Sequence, residues 1–278
     1  MKILRISKLL TLFLLFQVQV PIVFGQPILG PSWTSTPPTI DGVISAGEWE
    51  LADTMEFNFV YTVIPGKIYV MNDADNLYIA LEIQDNDDNL GDDLIMFFDN
   101  DNGGGSRVVG DNALEIINIF PDVSFAYVDS YIHQPTWVSG HSSDVSDGGS
   151  HEGLAMATHD VVTHKTYYEV SFPLDTADDS HDFSLVLGDV VGFTLLWWDF
   201  PGFFSYFWPA HFVNDVDNWA DIEIAERARE PVGGSIMANN SLMKIPAFLV
   251  CSVIVILYLS KRKNFKSARA TVFTDDSI

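Results

Sequence analysis

Two carboxylate-rich segments carry the densest chemistry in this chain: Asp85-Asn86-Asp87-Asp88 followed by Asp92 and Asp93, then Asp99-Asn100-Asp101-Asn102. Oxygen donors packed this closely suit a hard cation such as calcium, which takes about six to eight oxygen ligands. Asp99, Asp101 and Gly103 open like an EF-hand loop, but the twelfth position is Gly110 where that loop needs Glu, so an EF-hand is excluded. A looser calcium site is the expectation, with Asp85, Asp87, Asp92, Asp99 and Asp101 as ligands and loop ordering as its role. Solvated acidic loops are the alternative.

The second chemical feature is aromatic. Trp197-Trp198-Asp199-Phe200 and Phe203-Phe204-Ser205-Tyr206-Phe207-Trp208 form the richest patch. A flat ring offers an apolar face to sugar C–H groups, with polar neighbours fixing the hydroxyls. Successive strand residues point to opposite faces, so Trp197 and Trp198 do not share one platform, and one of them packs inside. Trp137, in a polar segment, has the best claim to an exposed stacking ring, followed by Trp208 and then Trp198, while Trp49 is expected in the core. The seven histidines, His133, His141, His151, His159, His164, His181 and His211, show no metalloprotease spacing. With this many acids, carboxylate pairs of the kind a glycosidase needs arise by chance, and none is singled out as catalytic.

These residues need strands to position them. Leu77, Ile79, Leu81 and Ile83 alternate with Tyr78, Ala80, Glu82 and Gln84, the period of a half-buried strand. Further strands are expected at Thr54–Val63, Gly66–Asn72, Asp93–Phe98, Ala113–Ile119, Ser124–Val128, Leu154–His159, Thr166–Phe172, Val191–Asp199 and Trp219–Ile224. Pro173 lacks an amide donor and closes the strand before it. Asn72–Asn76 reads as a hairpin loop, and Trp137–Gly153 as a long surface loop. No helical period is sustained between residues 26 and 230, so the fold class is all-β, an antiparallel two-sheet sandwich.

The order of these blocks resembles the family 9 carbohydrate-binding modules, a DOMON-like β-sandwich family. Thr39-Ile40-Asp41-Gly42 with Trp49 is similar to the family's opening signature, and Lys67–Asp85 to its second block. Asp92, Asp93 and the FFDNDN segment resemble the third, and Tyr168–Leu174 a later Glu-strand-Pro element. Trp208-Pro209 and Trp219–Ile224 also fit. The resemblance implies a β-sandwich that binds glycans or polysaccharide by tryptophan stacking and carries calcium. Relatives are commonly attached to polysaccharide-degrading enzymes. No separate catalytic domain is visible here, which weighs against an enzyme.

The ends suggest a location. Lys2, Arg5 and Lys8 precede an apolar run from Leu9 to Phe24, the pattern of a signal peptide spanning 1–25. Residues 26–230 form the sandwich and 231–241 a stalk. Leu242–Leu259 is almost wholly apolar and, at about 27 Å as a helix, long enough for one membrane span. The basic residues that follow place the tail, 260–278, in the cytoplasm by the positive-inside rule. Between residues 26 and 241 there are only five basic residues against 36 acidic ones. Such a surface repels phosphate backbones, so nucleic acid is not an expected partner. The single cysteine, Cys251, lies in the apolar segment, which excludes a disulfide framework or thiol catalysis in the outer domain.

The expectation is a membrane-anchored surface protein that binds carbohydrate. Two others stand beside it: a haem-binding DOMON-like domain, with Met71, Met96, Met156, His133 and Lys67 as possible ligands, and a structural surface or adhesion protein without a small ligand.

Overall fold

The computed structural model describes residues 26–86, 92–104, 107–119, 124–135, 140–176, 178, 180–200, 204–210 and 216–227 of the 278-residue chain. The expected signal peptide, stalk, apolar segment Leu242–Leu259 and cytoplasmic tail lie outside the described residues. Among the described residues no helix is long and apolar enough to cross a membrane.

The domain is all-β, in two sheets. The larger runs β1 (Ile28–Leu29), β13 (Ala220–Glu223), β11 (Val190–Asp199), β5 (Asp93–Asp99), β6 (Asn112–Ile119), β7 (Ser124–Ile132) and β8 (His141–Ser143). The first half of β11 pairs with β13, and its second half pairs on β12 (Phe204–Trp208). The smaller sheet runs β2 (Asp53–Asn58), β3 (Pro65–Asn72), β4 (Asn76–Gln84), β10 (Lys165–Pro173) and β9 (Leu154–Asp160). β1 and β13 pair in parallel, and the remaining pairs are antiparallel.

One apolar core joins the inner faces of the two sheets. Leu77, Ile79, Leu81 and Ile83 of β4 meet Leu94, Met96 and Phe98 of β5 and Val191, Phe193, Leu195 and Trp197 of β11. This is the alternation read from the sequence. The opposite face of β4 is less open than that pattern implies, because Tyr78 and Ala80 lie beneath Trp49, Ile40 and Ile44 in a second cluster. The outer face of the larger sheet carries a third, with Ile95, Phe97, Leu196 and Trp219.

Each of the ten expected strands is present, with shifted ends. β2 stops at Asn58 rather than Val63, because Phe59–Ile64 closes a turn in which Thr62 N–H donates to the Phe59 carbonyl at 3.0 Å and Tyr61 takes a positive φ of 62°. β10 ends on Pro173 as expected. The stretch expected to be a plain surface loop contains β8 and a 3-10 turn, Asp144–Asp147, whose first carboxylate is wholly buried.

Candidate functional site

The aromatic patch is divided by strand alternation. Trp197 points inward, 2% exposed, and stacks against Phe59 at 5.8 Å and Tyr206 at 5.6 Å. Trp208 lies opposite Leu195 and also faces the core, its ring stacked on Phe57 at 4.5 Å and an interplanar angle of 28°. The expectation that Trp208 offers a free ring is corrected: the register of β12 on β11 turns it inward, where Phe57 occupies its face. Trp198, one residue from Trp197, points the other way and is 37% exposed. Trp49 and Trp219 are buried and Trp33 half-buried, so among the described tryptophans Trp198 has the open ring. Trp137 lies outside the described residues.

Polar groups share the face of Trp198. Opposite it in register are Asp93 of β5 and Ser205 of β12, and directly paired residues project to the same side of a sheet. Beyond Asp93, Glu115 of β6 sits 3.4 Å from His141 Nε2 on β8. Burial pushes the Asp93 carboxyl up to about 9, and the neighbouring Glu115 charge and hydrogen bond add to this. Glu115 is held below the usual carboxylate range: burial draws it up, but His141 and the Asp93 hydrogen bond outweigh that. Asp93 therefore carries a proton at neutral pH and donates it to Glu115. The two carboxyls share a hydrogen bond, closer than the separation of about 5 Å or more that a glycosidase acid pair requires. Asp93 Oδ1 and His141 Nδ1 are buried beneath this face and make no hydrogen bond to protein. Phe200, just past the end of β11, is also exposed, whereas Phe204 alternates to the opposite side of β12 from Ser205, toward Tyr206. An open indole bordered by alternating donors and acceptors can stack on a sugar ring and orient its hydroxyls.

A recess of about 450 Å³ lies on the outer face of the smaller sheet, lined by Glu56, Phe57, Lys67, Glu82, Gln84 and Lys165. Lys165 pairs with Glu82 at 2.7 Å, Tyr69 donates its hydroxyl to the same carboxylate, and Lys67 covers the Tyr69 ring at 4.3 Å. The recess is polar, but its aromatic rings are buried or capped, so it has no stacking platform.

The expected ion ligands fall into two groups at opposite ends of β5, about 20 Å apart for six steps of roughly 3.3 Å. At one end Asp85 Oδ2 accepts from the Thr166 hydroxyl at 2.8 Å and lies 3.5 Å from His159. Asp92 there accepts the Phe200 N–H at 2.9 Å, and burial lifts it to about 8, with the neighbouring Asp85 charge adding to this. Asp87 lies outside the described residues. At the other end Asp99 and Asp101 accept the Gly104 and Gly103 N–H groups at 3.1 and 3.0 Å, closing their own turn.

The three methionines among the possible haem ligands do not converge. Met96 belongs to the inter-sheet core and Met71 to the outer cluster under Trp49. Met156 shares the outer face of the smaller sheet with Met71, but β3 and β9 are three strand spacings apart, about 14 Å.

The sequence reading missed a carboxylate group at the β7 end of the sandwich. Asp129, Glu152 and Asp182 place one carboxylate oxygen each within 4.8 Å of one another. They stand 23 and 30 residues apart in the chain, so no local motif marks them.

No family model matches the chain, and no curated protein matches it in sequence. Among solved structures, a family 9 carbohydrate-binding module from Caldicellulosiruptor kristjanssonii in complex with cellotriose superposes on 74% of this chain and 99% of that one, with TM-score 0.49 and 13% identity. A structure of a family 9 module from the same organism with glucose gives TM-score 0.49 and 13% identity over 72% and 98% of the two chains.

Proposed function

We propose that the domain binds carbohydrate, with the Trp198 face of the larger sheet as its platform. One observation carries the reading: Trp198 is turned out of the core, beside Trp197 which is turned in, and its open ring is bordered by Asp93 and Ser205 with Glu115 and His141 behind. Glycan recognition asks for this combination of a desolvated flat face and fixed hydrogen-bonding groups. The sequence resemblance to family 9 modules supports the same ligand class, and Trp137, on the segment joining β7 to β8, is a second stacking ring in this reading. The apolar leader and the segment Leu242–Leu259 support a surface location, which labelling of intact cells with an impermeant reagent would check.

Affinity electrophoresis through gels holding a panel of soluble polysaccharides tests the assignment. Retardation by at least one polysaccharide, lost in Trp198→Ala, is expected. Unretarded migration of the wild-type chain in every gel would count against it.

A further inference from the structure

We propose that the recess on the outer face of the smaller sheet binds a sugar acid, a hydroxylated ring bearing one carboxylate, through Lys67 and Lys165. Trp198 lies on the outer face of the other sheet, so this inference stands independently of the glycan reading there.

Strand register lays out the floor of the recess. Glu56 of β2 pairs with Lys67 of β3, and Lys67 with Glu82 of β4, so the three project to one face. The next outward row holds Asn58 of β2 and the pair Gln84 and Lys165 across β4 and β10. Lys165 Nζ donates to Glu82 Oε2 at 2.7 Å, and the Tyr69 hydroxyl donates to Oε1 of the same carboxylate. Burial draws the Glu82 carboxyl up, but the Lys165 and Tyr69 hydrogen bonds outweigh that and keep it charged. Lys67 lies over the Tyr69 ring at 4.3 Å. One chain of contacts therefore runs from Lys67 through Tyr69 and Glu82 to Lys165 and fixes both ammonium groups at the recess. Gln84 is braced beside them by its amide N–H on the His164 carbonyl at 2.6 Å.

The placement of the lysines points to an anion. Residues 26–241 contain 36 acidic residues and two lysines, and both lysines line this recess. Lys165 is matched by Glu82, whereas among the described residues Lys67 makes no ion pair, which leaves its ammonium donors for a ligand. The acidic field of the rest of the domain is screened beyond about 8 Å at physiological salt, and inside that range contact with the ammonium groups decides. A second negative charge would meet Glu56 and Glu82. A monoanion therefore fits better than a phosphate dianion, which arginine forks and backbone nests hold more readily. Glu56, Asn58 and Gln84 supply the acceptors and donors that ring hydroxyls pair with. The volume, about 450 Å³, is that of a small-molecule site, and with its rings buried or capped the recess recognises charge and hydroxyls rather than a stacked face.

The test titrates the full-length chain in detergent, at neutral pH in a calorimeter, with sodium glucuronate, glucose, sodium acetate and inorganic phosphate. Saturable glucuronate binding is expected. Glucose, without the charge, and acetate, without the hydroxyls, should each bind about tenfold or more weakly. Lys67→Met keeps an aliphatic stem over Tyr69 and should weaken glucuronate by about tenfold or more, while Lys67→Arg retains most of the affinity. Both variants should melt at the wild-type midpoint, which separates lost binding from lost folding. A wild-type chain that does not bind glucuronate, or a Lys67→Met chain that binds it as tightly as the wild type, would overturn the site. Glucose or acetate bound as tightly as glucuronate, or phosphate bound more tightly, would overturn the assigned ligand. Glucuronate binding lost in Trp198→Ala and kept in Lys67→Met would place the ligand on the other sheet and overturn the site as well.

Discussion

The indole N–H of Trp49 donates to Oε1 of Glu169 at 2.8 Å, across 120 residues of chain. The other carboxylate oxygen accepts the N–H groups of Asp41 and Gly42 at 3.0 and 2.8 Å. Gly42 has φ +83° and a Cβ there would come within 2.9 Å of Thr158 and 3.0 Å of the Ala157 backbone, so the Asp41-Gly42 turn has room only for glycine. The Ile-Asp-Gly…Trp phrase and the later Glu strand, separate in the sequence, are the two halves of one buried hydrogen-bonded knot that fastens the opening segment over β4 and β10.

Breaking that knot should lower stability without touching the Trp198 face. Glu169→Gln sets an amide N–H2 against a ring of donors, and a loss of about 1–3 kcal/mol is expected for the groups left unpaired. Urea unfolding followed by tryptophan fluorescence would measure it. An unchanged midpoint would show that water can replace the carboxylate.

Trp208 and Trp198, both aromatic candidates in the sequence, should now separate by phenotype. Trp208→Ala empties a site packed against Phe57 and should lower stability by about 3–5 kcal/mol. Trp198→Ala removes an outward ring and should stay within about 0.5 kcal/mol of wild type. Paired denaturation curves check the contrast, and equal losses would contradict the assigned orientations.

Stability should also fall as pH rises through the neutral range. Burial raises the carboxyls of Asp92 to about 8, Asp93 to about 9, Asp129 to about 9, Asp144 to about 7 and Asp182 to about 6. The folded state thus keeps protons that the unfolded chain releases near about pH 4. Their contribution is whole below that pH and is lost as pH climbs through the folded values. Glu82 and Glu115, held low in the folded state, act in the opposite sense only in the acid range. In EDTA the thermal midpoint should therefore decline from about pH 5 to about pH 9. A midpoint that rises over that interval would contradict the burial of these acids as protonated groups.

Local patterns were legible in the sequence, and long-range meetings were not. The alternation of Leu77–Gln84 and the opposite fates of Trp197 and Trp198 follow from the pleat alone. β12 escaped because Phe204–Trp208 is aromatic on both faces and hides its period, and β8 because His141–Ser143 is short and polar. Trp208 was misread for the same reason: only the pairing with Leu195 decides which way it turns. The Asp99–Asp101 run drew attention by density, yet these carboxylates cap their own turn. Asp129, Glu152 and Asp182 are unremarked singly and become a group only when β7 meets the segments before β9 and β11.

The central claim, that the ring of Trp198 holds carbohydrate, is tested most directly by calorimetric titration of wild-type, Trp198→Phe and Trp198→Ala chains with the oligosaccharide of whichever polysaccharide retards the protein. The account predicts binding to the wild type, partial retention in Trp198→Phe, and a loss of about tenfold or more in Trp198→Ala, corresponding to at least about 1.4 kcal/mol. Wild-type affinity in a folded Trp198→Ala chain would contradict it.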